Sequence, residues 1–145
     1  MKTPRRGSTP ASHLAASSGV RFASRVYTIG GIYGLIITVP GFFTEARFVE
    51  LMPPAITHPE LYYGFCAVTL AWQIAFLVIG SDPARYRPLM WVTVLEKFGF
   101  VVAVVWLVAA ARSPRATLGL AVPDAILGVL FAWSYFRTLE PPKVE

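Results

Sequence analysis

The chain has 145 residues, of which 55% are hydrophobic and 14% are charged, and its formal net charge is +5. A soluble domain usually carries about 25% charged residues, so this balance indicates a single domain whose main solvent is lipid. The basic residues lie mostly in loops and tails, which argues against nucleic acid as a partner, and the single cysteine, Cys66, excludes an internal disulfide and a cysteine-rich metal site.

Residues 1–25 form a basic N-terminal segment that contains no acidic residue. The stretch after Arg6 is small and polar, so it lacks the apolar centre of a secretory signal. A composition rich in arginine and serine is typical of an organelle transit peptide, and it is equally typical of a basic tail beside a first span. We expect a disordered cytoplasmic tail, and the transit peptide stays the alternative.

The first predicted span covers about residues 26–43 and is uncharged. Residues spaced by three or four positions place mostly small side chains on one face of it, namely Tyr27, Gly31, Gly34, Thr38 and Gly41. Small residues on one face let helix backbones approach closely, so we expect this face to pack against other helices. Pro40 is expected to bend or end the helix. A short helix around Phe48 is predicted to follow in the membrane interface.

The second predicted span covers about residues 61–80, twenty residues without a charge. At 1.5 Å rise per residue this length matches a hydrocarbon core of about 30 Å. A polar stripe on one face should point into the bundle, and it consists of Tyr62, Cys66, Thr69 and Gln73. Trp72 lies too deep for an interfacial belt and is expected to fill the core or to wall a ligand cavity. His58 and Glu60 are interpreted as part of a capping box with Thr57, rather than as metal ligands.

The third predicted span covers about residues 88–111 and follows a short basic loop. In this loop Arg85 and Arg87 suit contact with lipid headgroups. The second span, the loop and the third span predict a transmembrane hairpin onto which the other helices pack. Glu96 and Lys97 lie about two turns inside the third span and point about 100° apart, so they do not pair automatically. Lys97 is long enough to reach the cytoplasmic edge.

The fourth predicted span covers about residues 116–136 and contains Asp124 directly after Pro123. If the helix starts at Pro123, Asp124 is a first-turn acid that the helix dipole favours. If the helix starts near Ala116, Asp124 is buried by about two turns. Residues 138–145 are expected to form a short polar tail.

Basic residues predict the orientation of these spans. With the N-terminus inside, nine basic residues fall in cytoplasmic segments and three in outer segments. The nine are Lys2, Arg5, Arg6, Arg21, Arg25, Arg85, Arg87, Arg137 and Lys143, and the three are Arg47, Arg112 and Arg115. The predicted fold is therefore an all-α transmembrane four-helix bundle, antiparallel and up-down, with both termini cytoplasmic.

Depth along the predicted spans places the polar residues at two levels. Gln73 and Glu96 fall about 10 to 12 Å above the inner edge, where we expect a hydrogen bond between them, and Asp124 falls nearer the outer edge. An ionisable residue inside a membrane is a functional candidate by default. The candidate ligand pocket consists of Trp72, Gln73, Glu96, Asp124, Tyr62 and Thr69.

From Ile56 to Phe100 the chain contains HPE, YYGF, AWQ, AF, DP, RYRP and LEK in this order. This region resembles a group of uncharacterised bacterial four-span proteins, which are similar to the broader DoxX-like class of small four-helix membrane proteins. The resemblance implies a multi-pass protein of the bacterial cytoplasmic (inner) membrane. Some members of that class are associated with quinone-linked sulfur or thiol oxidation. One cysteine and no evident cofactor ligands depart from a redox role, so neither a cofactor nor a metal is predicted.

Three functions are compatible with these features. The expected one is binding of a lipid-soluble small molecule, quinone-like or isoprenoid-like, inside the four-helix bundle. The second is an accessory or assembly subunit of a larger membrane complex. The third is a small intramembrane acid-base enzyme acting on a lipid, although no nucleophile–base pair or phosphate loop supports it. Membrane lipids are the predicted partners, and a lipid-soluble ligand, a homo-oligomer and a larger complex are further candidates.

Overall fold

The computed structural model describes residues 10–51 and 58–138, with side chains described from residue 18 onward. The helices are α1 (Pro10–Gly41), α2 (Glu45–Leu51), α3 (Pro59–Ser81), α4 (Arg87–Ala109) and α5 (Leu118–Arg137). A 3-10 turn at Arg115–Thr117 leads directly into α5. Within these two ranges the chain contains no β-strand. The prediction of an all-α protein is therefore confirmed.

Four segments are long and apolar enough to cross a membrane. They are Ser18–Gly41, Pro59–Ser81, Arg87–Ala109 and Arg115–Arg137. Each has 23 or 24 residues, which at 1.5 Å rise per residue exceeds a hydrocarbon core of about 30 Å. The protein is a four-helix bundle of the multi-pass membrane type, and the last three segments agree with the predicted spans to within a few residues.

The first helix begins much earlier than the sequence predicted. α1 starts at Pro10, so the expected disorder of residues 1–25 is wrong for residues 10–25, while residues 1–9 lie outside the described part of the chain. Tertiary contacts explain the order: Ala23 is fully buried, and the hydroxyl of Ser24 donates a hydrogen bond to the carbonyl of Gly80 at 2.6 Å. At the other end of the chain Thr138 is also buried, and residues 139–145 lie outside the described ranges.

Helix α1 is the centre of the bundle. It packs along α3 on one side and along α5 on the other, whereas α3 and α4 touch each other little although they are consecutive. The other two spans do pack onto the predicted hairpin, α1 on α3 and α5 on α4, but the two arms of the hairpin touch little and α1 joins the two pairs through α5. Glycines explain the preference for α1, because a Cβ at Gly34 would overlap the side chain of Gln73, and one at Gly31 would lie 2.8 Å from Leu77.

Contacts between the helix ends show that neighbouring helices run antiparallel. The hydroxyl of Tyr62, at the start of α3, donates to the carbonyl of Gly41 at the end of α1, 2.8 Å away. Trp91, at the start of α4, contacts Tyr135 at the end of α5, with ring centroids 4.7 Å apart. The up-down arrangement follows, and it brings the start of α1 to the same end of the bundle as the α3–α4 loop.

The apolar core lies in the half of the bundle nearest that loop and draws on all four long helices. It consists of Ala23, Tyr27, Phe76, Ile79, Met90, Val94 and Phe131. The ring of Tyr27 stacks on Phe131 at 4.2 Å, and Phe76 packs edge-on against Phe131 at 4.9 Å. Aromatic pairs of this kind contribute about 0.5–1.5 kcal/mol beyond burial of their area. The Tyr27 hydroxyl is hydrogen-bonded to Thr93 at 2.7 Å, so the polar end of this buried ring is satisfied.

The connections between helices agree only in part with those predicted from the sequence. α1 ends one residue after Pro40, and the predicted short helix is present as α2, where Phe48 contacts the ring of Tyr62 at 5.4 Å. Thr57 of the predicted capping box lies outside the described residues, and within them the N-cap of α3 is His58, which makes no side-chain capping bond. Glu60 instead pairs with His58 at 3.2 Å on an exposed surface.

Candidate functional site

Lys97 is the centre of a buried cluster of charges. Its side chain is 5% exposed, and its ammonium donates to Asp124 Oδ1 at 2.9 Å and to Glu96 Oε1 at 3.3 Å. The same ammonium lies 5.2 Å from the ring centre of Phe76 on α3. Lys97 therefore does not extend to the edge of the membrane, and it does pair with Glu96. The cluster of Glu96, Lys97 and Asp124 is called the charged trio below.

The neighbouring helix explains why Lys97 stays inside. Gly128 of α5 faces it so closely that a Cβ on Gly128 would lie 3.3 Å from the Cβ of Lys97. One turn towards the α3–α4 loop, Thr93 is fully buried and Val94 is almost so, and a lysine that turned in that direction would meet packed side chains. The ammonium therefore reaches the other way, towards Asp124, which precedes Gly128 by one helical turn.

Asp124 lies inside the fourth span rather than at its beginning. α5 starts at Leu118 and contains Pro123 in its interior, so the alternative in which Asp124 is buried holds. Its side chain is 23% exposed. Glu96 and Asp124 were predicted at two different depths. Lys97 connects them, because its ammonium contacts both carboxylates.

The charged trio does not balance its own charge. Two carboxylates and one ammonium sum to −1, and among the described residues no other basic side chain forms an ion pair with Glu96 or Asp124. Removing an ion from water costs several kcal/mol even after relaxation, and pairing offsets this cost only where charges and hydrogen bonds are complete. The site is electrically neutral only when one carboxyl holds a proton or when a bound group supplies the missing positive charge.

Glu96 leaves α4 on the side away from α5, which we infer to be the side that borders α3. Trp91 and Phe98 mark the α5 side of α4, since they contact Tyr135 and adjoin Gly128. Glu96 points about 140° to 160° away from both at about 100° per residue. The opposing surface of α3 carries Trp72, whose ring lies 6.3 Å from that of Phe76. This boundary between α3 and α4, where the helices touch little, is called the α3–α4 seam.

An open apolar groove adjoins the seam on α3. Its volume is about 290 Å³, and it is lined by Val68, Ala71, Trp72 and Ala75. Trp72 therefore belongs both to the groove and to the surface that faces Glu96. A larger open depression of about 550 Å³ lies at the far end of α4 beside Arg112 and Arg115, and none of the predicted site residues lines it.

Gln73 has a different partner from the one predicted. It is buried on the α1 side of α3, against Gly34, and its amide donates to the carbonyl of Thr69 at 3.1 Å. The expected hydrogen bond between Gln73 and Glu96 is not formed, because the two side chains leave their helices on different sides. Tyr62, bonded to Gly41, likewise lies at the contact of α1 with α3. Of the six candidate residues, the structure brings Glu96 and Asp124 together through Lys97, while Trp72 lies on α3 beside Phe76, whose ring the same lysine approaches.

Sequence reasoning missed Lys97 and Phe76 as members of the site. A signal for the lysine was present, because Lys97 occupies the helical face of Met90, Val94 and Val104, all of which are buried. A lysine in the middle of an apolar stripe indicates burial and a charged partner on the opposite helix. Phe76 carries no such signal, since one phenylalanine among many apolar residues does not show which of them meets a charge.

Arginines lie in contact with aromatic rings at the end of the bundle that carries the α3–α4 loop. Arg87 lies 3.9 Å from the ring centre of Tyr135, Arg85 lies 5.5 Å from Tyr86, and this places both beside amphipathic rings typical of a membrane interface. Contact of these arginines with lipid headgroups stays a prediction. In the described ranges, no three His, Cys, Asp or Glu side chains lie close enough together to hold a metal ion.

Comparison with known proteins adds no relative. The chain matches no protein-family model, no curated protein and no solved structure. The resemblance to the DoxX-like class therefore stays a prediction. Any function has to be argued from the charged trio and the seam.

Proposed function

We propose that this protein binds a lipid-soluble small molecule, isoprenoid-like or quinone-like, with its polar group at the charged trio and its apolar part along the α3–α4 seam. The observation that carries this proposal is the incomplete charge balance of Glu96, Lys97 and Asp124 inside a membrane-spanning bundle. A purely structural contact between two helices would be served by one neutral pair. A third charge is an added cost, and an intramembrane ionisable residue is a functional candidate by default.

The shape of the bundle supports a ligand that enters from the bilayer. Glu96 is 19% exposed, and it faces the side of the bundle where α3 and α4 touch little. The groove beside Trp72 is apolar and open, which suits a hydrocarbon chain better than a water-soluble molecule. The polar group of such a ligand would meet the trio while its chain remains in an apolar environment.

The location proposed is the bacterial cytoplasmic membrane with both termini in the cytoplasm, on the nine-to-three distribution of basic residues. Reporter fusions after Pro54 and after Pro114 should report the outside, and a fusion after Ala84 should report the inside. A reversal of any of these positions contradicts the orientation.

The proposed function is tested by purifying the full-length protein from its membrane and analysing the retained lipids by mass spectrometry. We expect one lipid-soluble molecule to be enriched over the bulk membrane extract. Trp72→Leu should lose the enrichment because Trp72 walls the seam. The matched control is Trp106→Leu, since Trp106 is 58% exposed and lies far from the trio near the other end of α4.

The outcomes separate the candidate functions. Enrichment that depends on Trp72 but not on Trp106 supports ligand binding. Equal lipid profiles for the protein and for both variants contradict it. A protein that copurifies in fixed ratio, with no enriched lipid, supports the alternative of an accessory or assembly subunit.

A further inference from the structure

One oxygen of the Glu96 carboxylate lacks a hydrogen-bond donor. The ammonium of Lys97 lies 3.3 Å from both oxygens, but the geometry of a hydrogen bond is met at Oε1. Oε2 is buried and accepts no hydrogen bond from the described residues. Oε2 lies near the positive charge of Lys97, but a buried charged acceptor without a hydrogen bond is unfavourable, because it has lost water and gained no donor in exchange. The site is therefore short of one donor at a known atom.

The charge of the trio points to the same deficiency. Its formal sum is −1, so a group that brings positive charge or a polarised hydrogen improves the balance. A group that brings only lone pairs makes it worse, because it places a third acceptor beside two carboxylates. Lys97 does not relieve this, since its ammonium is already directed to Asp124 and to Glu96 Oε1.

A donor that comes from a ligand would reach the trio from the α3–α4 seam. α5 already holds the other side of the trio through Asp124, and Gly128 of α5 lies against Lys97. On the α3 side, the ring of Phe76 lies 5.2 Å from the ammonium of Lys97 and adjoins the ring of Trp72, so this side offers apolar faces. A ligand that lies along Trp72 can therefore present its polar group to Glu96 with few competing donors from the protein.

We propose that the bound molecule is an amphiphile whose polar group donates a hydrogen bond to Glu96 Oε2, either the hydroxyl of a long-chain alcohol or the ammonium of a long-chain amine. This inference rests on the proposed function and narrows its ligand class to molecules that carry a donor, because the carbonyl groups of an oxidised quinone only accept hydrogen bonds. A ligand with the same hydrocarbon chain but only an acceptor in its polar group, such as a methyl ether, leaves Oε2 without a hydrogen bond. A hydrogen bond to a charged group corresponds to a preference of about tenfold to a hundredfold.

The test compares three probes that share one chain: geranylgeraniol, its methyl ether and geranylgeranylamine. Each is titrated against the full-length protein in phosphatidylcholine nanodiscs, and binding is measured at equilibrium after removal of free probe. We expect the alcohol or the amine to bind at least about ten times more tightly than the ether. Whichever of the two binds more tightly identifies the head group.

Glu96→Gln supplies the second readout. The amide that replaces the carboxylate offers an N–H donor as well as an acceptor, so it can serve an ether oxygen. The preference for the donor-bearing probe over the ether should fall to within about twofold. Tyr33→Phe is the matched control: Tyr33 is 43% exposed on α1, and its change should leave the preference intact. The comparison of probes on the unaltered protein needs no variant, so the test stands even if Glu96→Gln does not fold.

Failure of this inference is distinguishable from failure of the proposed function. If the alcohol, the amine and the ether bind equally to the unaltered protein, the donor rule is overturned and lipid binding stands. If none of them binds and purification enriches no lipid, both are overturned. If none of the probes binds while purification enriches a lipid, the head group of that lipid is the test. A head group without an O–H or N–H donor overturns the proposed requirement for a donor, and a head group with such a donor supports it.

Discussion

Replacing Lys97 by methionine perturbs the charged trio most strongly. It leaves two carboxyl groups with no cation, whereas the protein as it stands has two acids within 3.3 Å of one ammonium. Removing one partner of a buried ion pair usually costs about 3–5 kcal/mol, because the remaining charge stays buried. We expect Lys97→Met to lower the free energy of unfolding by about this amount.

The two acids should respond differently from the lysine. Glu96→Gln and Asp124→Asn each change the formal charge of the trio from −1 to 0 and keep a hydrogen-bonding group. Glu96→Gln should stay within about 1 kcal/mol of the unaltered protein, the usual scale for interhelical hydrogen bonds in bilayers. Asp124→Asn weakens the contact of Lys97 with Asp124, which at 2.9 Å is shorter than its contact with Glu96 at 3.3 Å. Its loss of unfolding free energy should therefore lie between those of Glu96→Gln and Lys97→Met.

These free energies are measurable by reversible unfolding in mixed micelles, followed by tryptophan fluorescence. Leu95→Met is the matched control, since Leu95 is 72% exposed on the same helix and should change little. The double variant Lys97→Met with Asp124→Leu should be less destabilised than the sum of its single changes, by about 0.5–3 kcal/mol. The electrostatic account is refuted if Lys97→Met is neutral, or if Glu96→Gln destabilises more than Lys97→Met.

Three further outcomes test the fold. Gly34→Ala should destabilise the protein by about 1–3 kcal/mol in thermal unfolding, because its Cβ overlaps the Gln73 side chain, whereas Gly64→Ala, with open space around it, should not. Tyr27→Phe should cost about 0.5–1.5 kcal/mol through the lost bond to a buried threonine hydroxyl, and the exposed Tyr33→Phe nothing measurable. Deleting residues 2–25 should lower the melting temperature in detergent, since this segment includes a buried part of α1; an unchanged temperature would restore the disordered-tail prediction.

The spans were predictable because hydropathy and length depend on local sequence. A run such as Leu61–Gly80, uncharged and about 30 Å long, has few alternatives to a membrane-crossing helix, and the structure confirms it as part of α3. The start of α1 was not predictable in this way. Residues 10–25 are polar enough to resemble a tail, and their helix is held by contacts with α3 and α5 that are distant in sequence, such as that of Phe22 with Trp133.

Which helices pack against each other could also not be predicted from the sequence. A short loop makes α3 and α4 consecutive, and consecutive elements are usually adjacent, but close packing depends on which faces lack side chains. Gly31 and Gly34 give α1 a surface that α3 can approach, and Gly128 gives α5 a surface that α4 can approach. The seam between α3 and α4 meets large residues instead, among them Trp72 and Phe76, so it stays less tightly closed.

The position of the seam and that of the charged trio support the same interpretation. A bundle held by α1 with α3, and by α4 with α5, gains its stability on faces that do not include Glu96. The half of the bundle nearest the α3–α4 loop is filled by the aromatic core around Phe131. The helices therefore remain together even where α3 and α4 are loosely packed. Glu96 contributes little to this assembly, and it lies at the one loosely packed boundary among the described helices. Its charge is therefore poorly explained by stability. It is better explained by a molecule that enters from the bilayer and completes the hydrogen bonding of Glu96.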